Sequence, residues 1–323
     1  VGVFLRRSPG GSRMTERNDI MAGFHVAEAT STVSLNIALA DALSQYPELF
    51  RENVKIASFF GSMPLIWNGG RMILGRFYPD RAKAVIDAYN QRGIPYRFTF
   101  TNPFITEEYL DDPDCNTALE IADNGMNEAI VFSPMLEDYI RDKFPDMPIT
   151  SSTCKQIEDF DELSAEMEKD YSLVVLDYNF NNNFDVLEKL PHKEKAELLI
   201  NPCCTPACKR RGDHYRSIGR SQIACTQHMM KRTGTPYIPE PFECQCMKRT
   251  LYQTVDSPLH ISPDAIYNKY VPMGYGNFKI EGRSVPDVNI LENYIYYMVK
   301  PELRDKVRLD ILLMLTKDFK YFK

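Results

Sequence analysis

Long hydrophobic runs are missing from this sequence. No stretch approaches the ~18 apolar residues that a membrane-spanning helix needs. An excess of basic charge is missing too: 38 Lys and Arg stand against 44 Asp and Glu, a formal net charge of −6. That balance argues against a broad nucleic-acid surface, though it leaves room for a local basic patch. Gly-x-Gly-x-x-Gly does not occur, which weakens a dinucleotide-binding fold. Neither His-Glu-x-x-His nor Gly-x-Ser-x-Gly is present, and no aspartic dyad stands out, so the common hydrolase signatures are absent. No internal repeat appears beyond an alternation of short strands and helices.

What is present is the material of a globular protein: 323 residues, 44% hydrophobic, 25% charged and 11% aromatic. The opening "VGVFLRRSPGGSRMTERNDIM" is basic and carries Gly, Ser and Pro without apolar periodicity. Residues 1 to 20 therefore read as a disordered extension, upstream of a candidate natural start at Met14. Its apolar part is too short for a secretory signal, and a cytoplasmic location is expected. Residues 21–323 read as one domain.

Short β-rich runs alternate with helical stretches through that domain. The runs are "VKIASFF" (54–60), "YRFTFTN" (96–102), "AIVFS" (129–133), "PITSST" (148–153), "SLVVLDYN" (172–179), "AELLIN" (196–201), "PLHIS" (258–262) and "NFKIEG" (277–282). Mostly continuous apolar runs, each followed by a helical segment, are the pattern of buried parallel strands. Eight such units predict an α/β protein with a (β/α)8 TIM-type barrel. A cysteine-rich insertion, 202–247, follows the sixth of these strands. Residues 34–50 are expected as a helix capping the barrel, and 287–323 as C-terminal helices.

Barrel enzymes place their chemistry at the C-terminal ends of the strands. Those ends supply Asn68 and Arg71 in "NGGR", then Asn102, Ser152, Asp177, Asn179 and Asn201. Together they would line a polar pocket for a small oxygen-rich or nucleotide-like ligand, although any single strand end is polar simply because loops begin there. The two glycines of "NGGR" let backbone N–H groups approach an anion, and Arg71 supplies a fork.

Six of the eight cysteines crowd between 203 and 246. A secreted disulfide scaffold would be smaller and would spread its cysteines, so the clustering favours a metal. Cys204 and Cys208 are three residues apart, Cys208 and Cys225 sixteen, Cys225 and Cys244 eighteen. Cys203 and Cys246 are alternates to members of that set. Two tight Cys-x2-Cys pairs, the usual zinc arrangement, are absent, and the wide spacing suits an iron–sulfur cluster better, with zinc as runner-up. A Cys/His nucleophilic pair using His214 or His228 is the competing reading. Lys209, Arg210 and Arg211 form either a solvated face or an anion site. Cys115 and Cys154 stand alone and read as buried small hydrophobes.

One further stretch bears on these alternatives. "YVPMGYGNFKIEGR", Tyr270 to Arg283, resembles the hallmark of the collagenase-like peptidase family of unassigned catalytic type, U32. "SPLHISPDAIYNKY", "PITSSTCKQI" and "VVLDYNF" resemble that family less specifically, and the likeness spans roughly residues 54 to 300. The resemblance implies an iron–sulfur barrel with a [4Fe-4S] cluster on Cys204, Cys208, Cys225 and Cys244. It places Glu281 and Arg283 at the barrel mouth as candidate catalytic residues; beside them, on the reading of the residues alone, stand His214 as a further catalytic candidate and Arg211 as a substrate-binding one. It also implies oxygen-independent hydroxylation or related redox modification of a small molecule, RNA or peptide, in some relatives beside a homologous partner subunit. Peptidase activity, after the family name, and a noncatalytic cluster-binding role are the alternatives. Where the family carries His-Gly and a Cys-x6-Cys pair, this chain has "INPCCTPAC", which puts it in a divergent branch.

Overall fold

A computed structural model describes residues 20–232, 234–244, 246, 249–282 and 287–316. The expected extension, residues 1 to 20, therefore lies almost wholly outside the described residues, as does Arg283.

Eight parallel strands close into a barrel in sequence order: β1 (Ala22–Val26), β2 (Val54–Gly61), β3 (Tyr96–Phe100), β4 (Glu128–Val131), β5 (Ile149–Ser151), β6 (Leu173–Val175), β7 (Ala196–Leu199) and β8 (Asn277–Ile280). β8 returns to β1 with Phe278 opposite Phe24 and Lys279 opposite His25. The expected (β/α)8 barrel is the observed fold, but two of its expected strands change. "AGFHV" at 22–26 is the first strand. "PLHIS" at 258–262 is a loop that runs past the end of β7 and makes one backbone bond to it, Ile261 N–H to Ile200 O at 2.9 Å. The long cysteine-bearing connection consequently follows the seventh strand of the barrel rather than the sixth.

The physical reason lies in which side of each strand is apolar. Outward residues such as Phe24, Val26, Phe98, Phe100, Leu198 and Phe278 pack under the helices. Inward ones include His25, Arg97, Thr150, Glu197 and Lys279, all buried and polar. With period-two side-chain alternation, a polar interior gives strands that alternate instead of running continuously apolar. Gly23 and His25 face in, so "AGFHV" loses the continuous signal.

The helices between strands are α1 (Val33–Gln45), α2 (Pro79–Asn90), α3 (Pro113–Ala122), α4 (Pro134–Lys143), α5 (Phe160–Glu168) and α6 (Phe184–Leu187). The starts of α2 to α5 carry side-chain caps, N-terminal prolines or both, where orphan N–H groups need them. Asp112 accepts from Cys115 N at 2.9 Å, and the Asp159 carboxylate accepts from Asp161 and Glu162 N–H. The helix expected over 34–50, at the barrel's bottom or side, is α1, the crossover from β1 to β2. It packs against the two C-terminal helices, Asp287–Met298 and Arg304–Thr316. Between β7 and β8 the chain builds α7 (Arg211–Met230) and, from Leu251 to Tyr270, short helical turns; the described residues between 231 and 250 form no helix or strand. No helix among the described residues is long and apolar enough to cross a membrane.

Candidate active site

The barrel interior is built from charge. Arg97 reaches across from β3 and donates through NH1 to Glu197 at 2.7 Å and through NH2 to Thr150 at 2.7 Å; its Nε lies 3.1 Å from Glu128. Glu197 accepts a second bond from Lys279 Nζ at 2.8 Å. Two cations thus share the interior with two carboxylates. Burial opposes charge on Glu197, but Arg97 and Lys279 outweigh it and hold the carboxyl well below the usual range. For Arg97, burial is likewise outweighed by Glu197 and Glu128.

Below them His25 Nδ1 meets Ser58 Oγ at 2.7 Å and Arg97 NH1 at 2.9 Å, while Nε2 meets Asn277 Oδ1 at 3.3 Å. A guanidinium only donates, so Nδ1 accepts and Nε2 carries the proton. Burial, reinforced by Arg97 and Lys279 against Glu197, pushes the imidazole down to about 3.

Above this layer, at the C-terminal strand ends, lies a cavity of about 110 Å³. Lys279, Glu281, Cys154, Ser152, Thr101 and Arg71 contribute polar groups, and Phe60, Ile130, Val175 and Leu199 supply apolar walls. The Lys279 ammonium sits 3.8 Å from the centre of the Phe60 ring. Burial, with Arg97 adding to it and Glu197 opposing, lowers this amine to about 8. Arg71 pairs with Glu28, whose other oxygen accepts from Ser31. Glu281 accepts the Cys203 N–H at 3.0 Å.

Gly69 makes the Arg71 loop possible. A Cβ there would stand 2.7 Å from Asn102 N and closer still to the Thr101 carbonyl, so no larger residue fits without moving backbone.

Of the expected substrate-binding residues, Arg71 and Ser152 line this cavity. The others are clamps. Asn68 donates to Arg71 O at 2.6 Å and accepts from Thr99 Oγ1 at 2.9 Å. Asn102 donates to Ile66 O at 2.9 Å and to Gly219 O of α7 at 3.2 Å. Asn201 bonds both backbone groups of Glu281, at 3.0 and 2.7 Å, extending the β7–β8 pairing past the strand ends. Asn179 accepts from Ala207 N–H at 3.0 Å and holds the cysteine loop down. Asp177 pairs with Arg211, which lies 4.4 Å from the Tyr178 ring centre and is buried. These polar strand ends fasten the insertion to the barrel.

His214 stands apart from Glu281. It stacks on Phe242 at 4.7 Å, with Arg210 over that same ring at 4.8 Å, and lines a second cavity with Ser217, Ser221 and Glu240. Gly70 and Arg71 form a wall common to both cavities.

The cysteines divide into groups. Cys204 and Cys208 share a small buried cluster with Tyr178, Leu199 and Leu259. Cys203 Sγ lies 3.9 Å from Arg249 O, and Cys246 N–H bonds Cys244 Sγ at 3.4 Å. Cys225 sits on α7, bonded to backbone at Gly75, with burial raising its thiol. Among the described residues no three or more His, Cys, Asp or Glu side chains converge closely enough to hold a metal ion. Sequence reasoning missed Lys279, Glu28, Thr101 and Cys154 as cavity residues. Cys154 had a usable signal, since it closely follows a strand's C-terminal end.

No family model matches this chain, and no curated protein matches it. Among solved structures, one described as the U32 peptidase Mk0906 aligns over 87% of this chain and all of its own, at a TM-score of 0.50 and 10% identity. The fold is that of a U32 peptidase. At this identity the likeness is one of architecture. The U32-like barrel joins the Lys-Ile-Glu-Gly-Arg resemblance of β8, whose lysine and glutamate both reach the mouth cavity.

Proposed function

We propose that this U32-peptidase-like barrel is an enzyme acting on a small, oxygen-rich molecule held in the mouth cavity. The carrying observation is that Lys279 and Glu281 line one cavity at the strands' C-terminal ends. A lysine lowered to about 8 exchanges protons near neutral pH. Glu281, the residue after the same strand, supplies a second proton-transferring group, and Arg71 supplies an anion-binding fork at the rim. A cavity of about 110 Å³ favours a small molecule over a peptide strand or an RNA base with its backbone. Oxygen-independent hydroxylation or a related redox modification is the chemistry that the sequence resemblance suggests. Hydrolysis of a peptide, or a noncatalytic role, is less well supported by so small a cavity.

Calorimetry with a panel of small carboxylates and 2-oxo acids tests this reading. At least one should bind wild-type protein, and Arg71→Ala should weaken it about tenfold, the loss of one charge-assisted contact. Cys225→Ser should leave binding unchanged. Equal affinity in Arg71→Ala and wild type would refute the assignment of Arg71.

A second reading keeps the insertion as a [4Fe-4S] lid, with zinc as the alternative. It is favoured by Cys204 and Cys208 lying together beside Tyr178 and by Arg210 NH1 holding Glu243 O at 2.7 Å, next to Cys244. It requires the 231–250 segment to close on Cys204 and Cys208. Iron and sulfide assays on anaerobically purified protein decide it: about four of each per chain support it, and metal-free protein with full activity refutes it.

A further inference from the structure

We propose that Lys279 is an imine-forming lysine and that the mouth cavity takes a small carbonyl compound bearing a carboxylate, such as a 2-oxo acid. This deepens the reading above and rests on it. Lys279 is buried on β8, lines the cavity, and has a single carboxylate partner among the described residues, Glu197. Glu197 also holds Arg97, so the lysine can give up its proton without leaving that buried carboxylate unpaired. The other groups around the amine are the Phe60 ring, Arg97 from β3, His25 in register on β1, and Cys154 after β5. Arg97 disfavours a second cation nearby, and the neutral imidazole adds no charge to compensate. Lysines made nucleophilic in this way are desolvated and set beside another cation.

The cavity also offers what a bound carbonyl needs. Thr101 Oγ1 is buried in the wall without a hydrogen-bond partner among the described residues, a donor left for ligand oxygen. Arg71 is positioned for the carboxylate, with Glu28 its one ion-pair partner among the described residues. The step balances without a redox partner. The neutral Lys279 nitrogen attacks the carbonyl carbon, a C–N bond forms, and the carbonyl electron pair moves to oxygen, which takes a proton. Nitrogen then loses a proton to give the neutral carbinolamine. Its hydroxyl takes a second proton, the C–O bond breaks as the nitrogen lone pair forms the C=N bond, and water leaves, giving the protonated imine. Glu281, in the same cavity, carries the proton between nitrogen and oxygen. The protonated imine is an electron sink for cleavage at the adjacent carbon.

The test uses glyoxylate and pyruvate with the full chain, trapped by borohydride, followed by intact mass and peptide mapping. Calorimetry runs in parallel. The expected result is one reduced adduct per chain, on the peptide holding Lys279, absent in Lys279→Arg. Trapping should rise about tenfold from about pH 7 to about pH 9 and then level, as the amine loses its proton. Peptide mapping of wild-type protein assigns the site even if Lys279→Arg fails to fold. Binding without an adduct, or adducts spread over surface lysines, would overturn the imine. No binding of either probe would overturn the imine and count against the small-molecule reading itself.

Discussion

A neutral imidazole at His25, wedged between a guanidinium and an amide, ties stability to pH. Its folded value of about 3 lies below the unfolded 6.5, so between these values the unfolded chain binds the extra proton. Stability is therefore complete above pH 6.5 and falls as pH drops toward 3, by about 1.4 kcal/mol per pH unit for one proton. Glu166 adds to the same fall. Burial opposes its charge, but Lys155, Lys169 and Ser151 bonds hold it at about 2. Urea midpoints measured from pH 7 down to pH 4 should show the loss, and His25→Gln should flatten it by roughly one proton's worth. An unchanged slope in His25→Gln would contradict the neutral assignment. Gly69 sets another limit at this scale. Gly69→Ala should cost about 1–3 kcal/mol in equilibrium unfolding, because its Cβ overlaps the Thr101–Asn102 backbone.

At the scale of elements, the insertion is fastened by polar strand ends and by one aromatic sandwich. Phe242 lies between His214 and Arg210 of the α7 start. Two face contacts of about 1 kcal/mol each predict that Phe242→Ala opens the 231–250 segment roughly tenfold or more often. Limited proteolysis should cut there correspondingly faster while the barrel's melting temperature stays near wild type. Equal cleavage rates would show that the sandwich does not hold the segment. The sequence made the βα alternation, the C-terminal helices and the special standing of "KIEGR" legible, because each rests on local pattern. It hid β1, whose inward Gly23 and His25 break the apolar run. It also made a strand of "PLHIS", whose Leu259 and Ile261 are buried without ladder pairing. The two errors cancel in the count of eight. The strand-end asparagines were legible as special positions, but their partners are distant carbonyls on α7 and β8 that no local pattern reveals.

Over the whole molecule, the Arg97–Glu197–Lys279 array replaces the branched aliphatic layers that usually fill such a barrel. Buried ion pairs cost desolvation and repay it only while every partner is present. Arg97→Met and Glu197→Gln should each destabilise by about 3–5 kcal/mol. The double variant should lose less than their sum by about 1–3 kcal/mol in urea unfolding. Strict additivity would mean that the two residues do not act as a unit. The same array shapes the chemistry above it: burial lowers Lys279, and the Arg97 charge that stabilises Glu197 adds to that lowering. Fold and site are therefore coupled through β7 and β8, which carry Glu197 and Lys279.

The most direct test of that account is a crystal structure of the full chain soaked with a small 2-oxo acid. Ligand density in the mouth cavity, in contact with Lys279 and reaching Arg71, is the predicted result. Density confined to the His214–Phe242 cavity, or none at either place at saturating ligand, would contradict it.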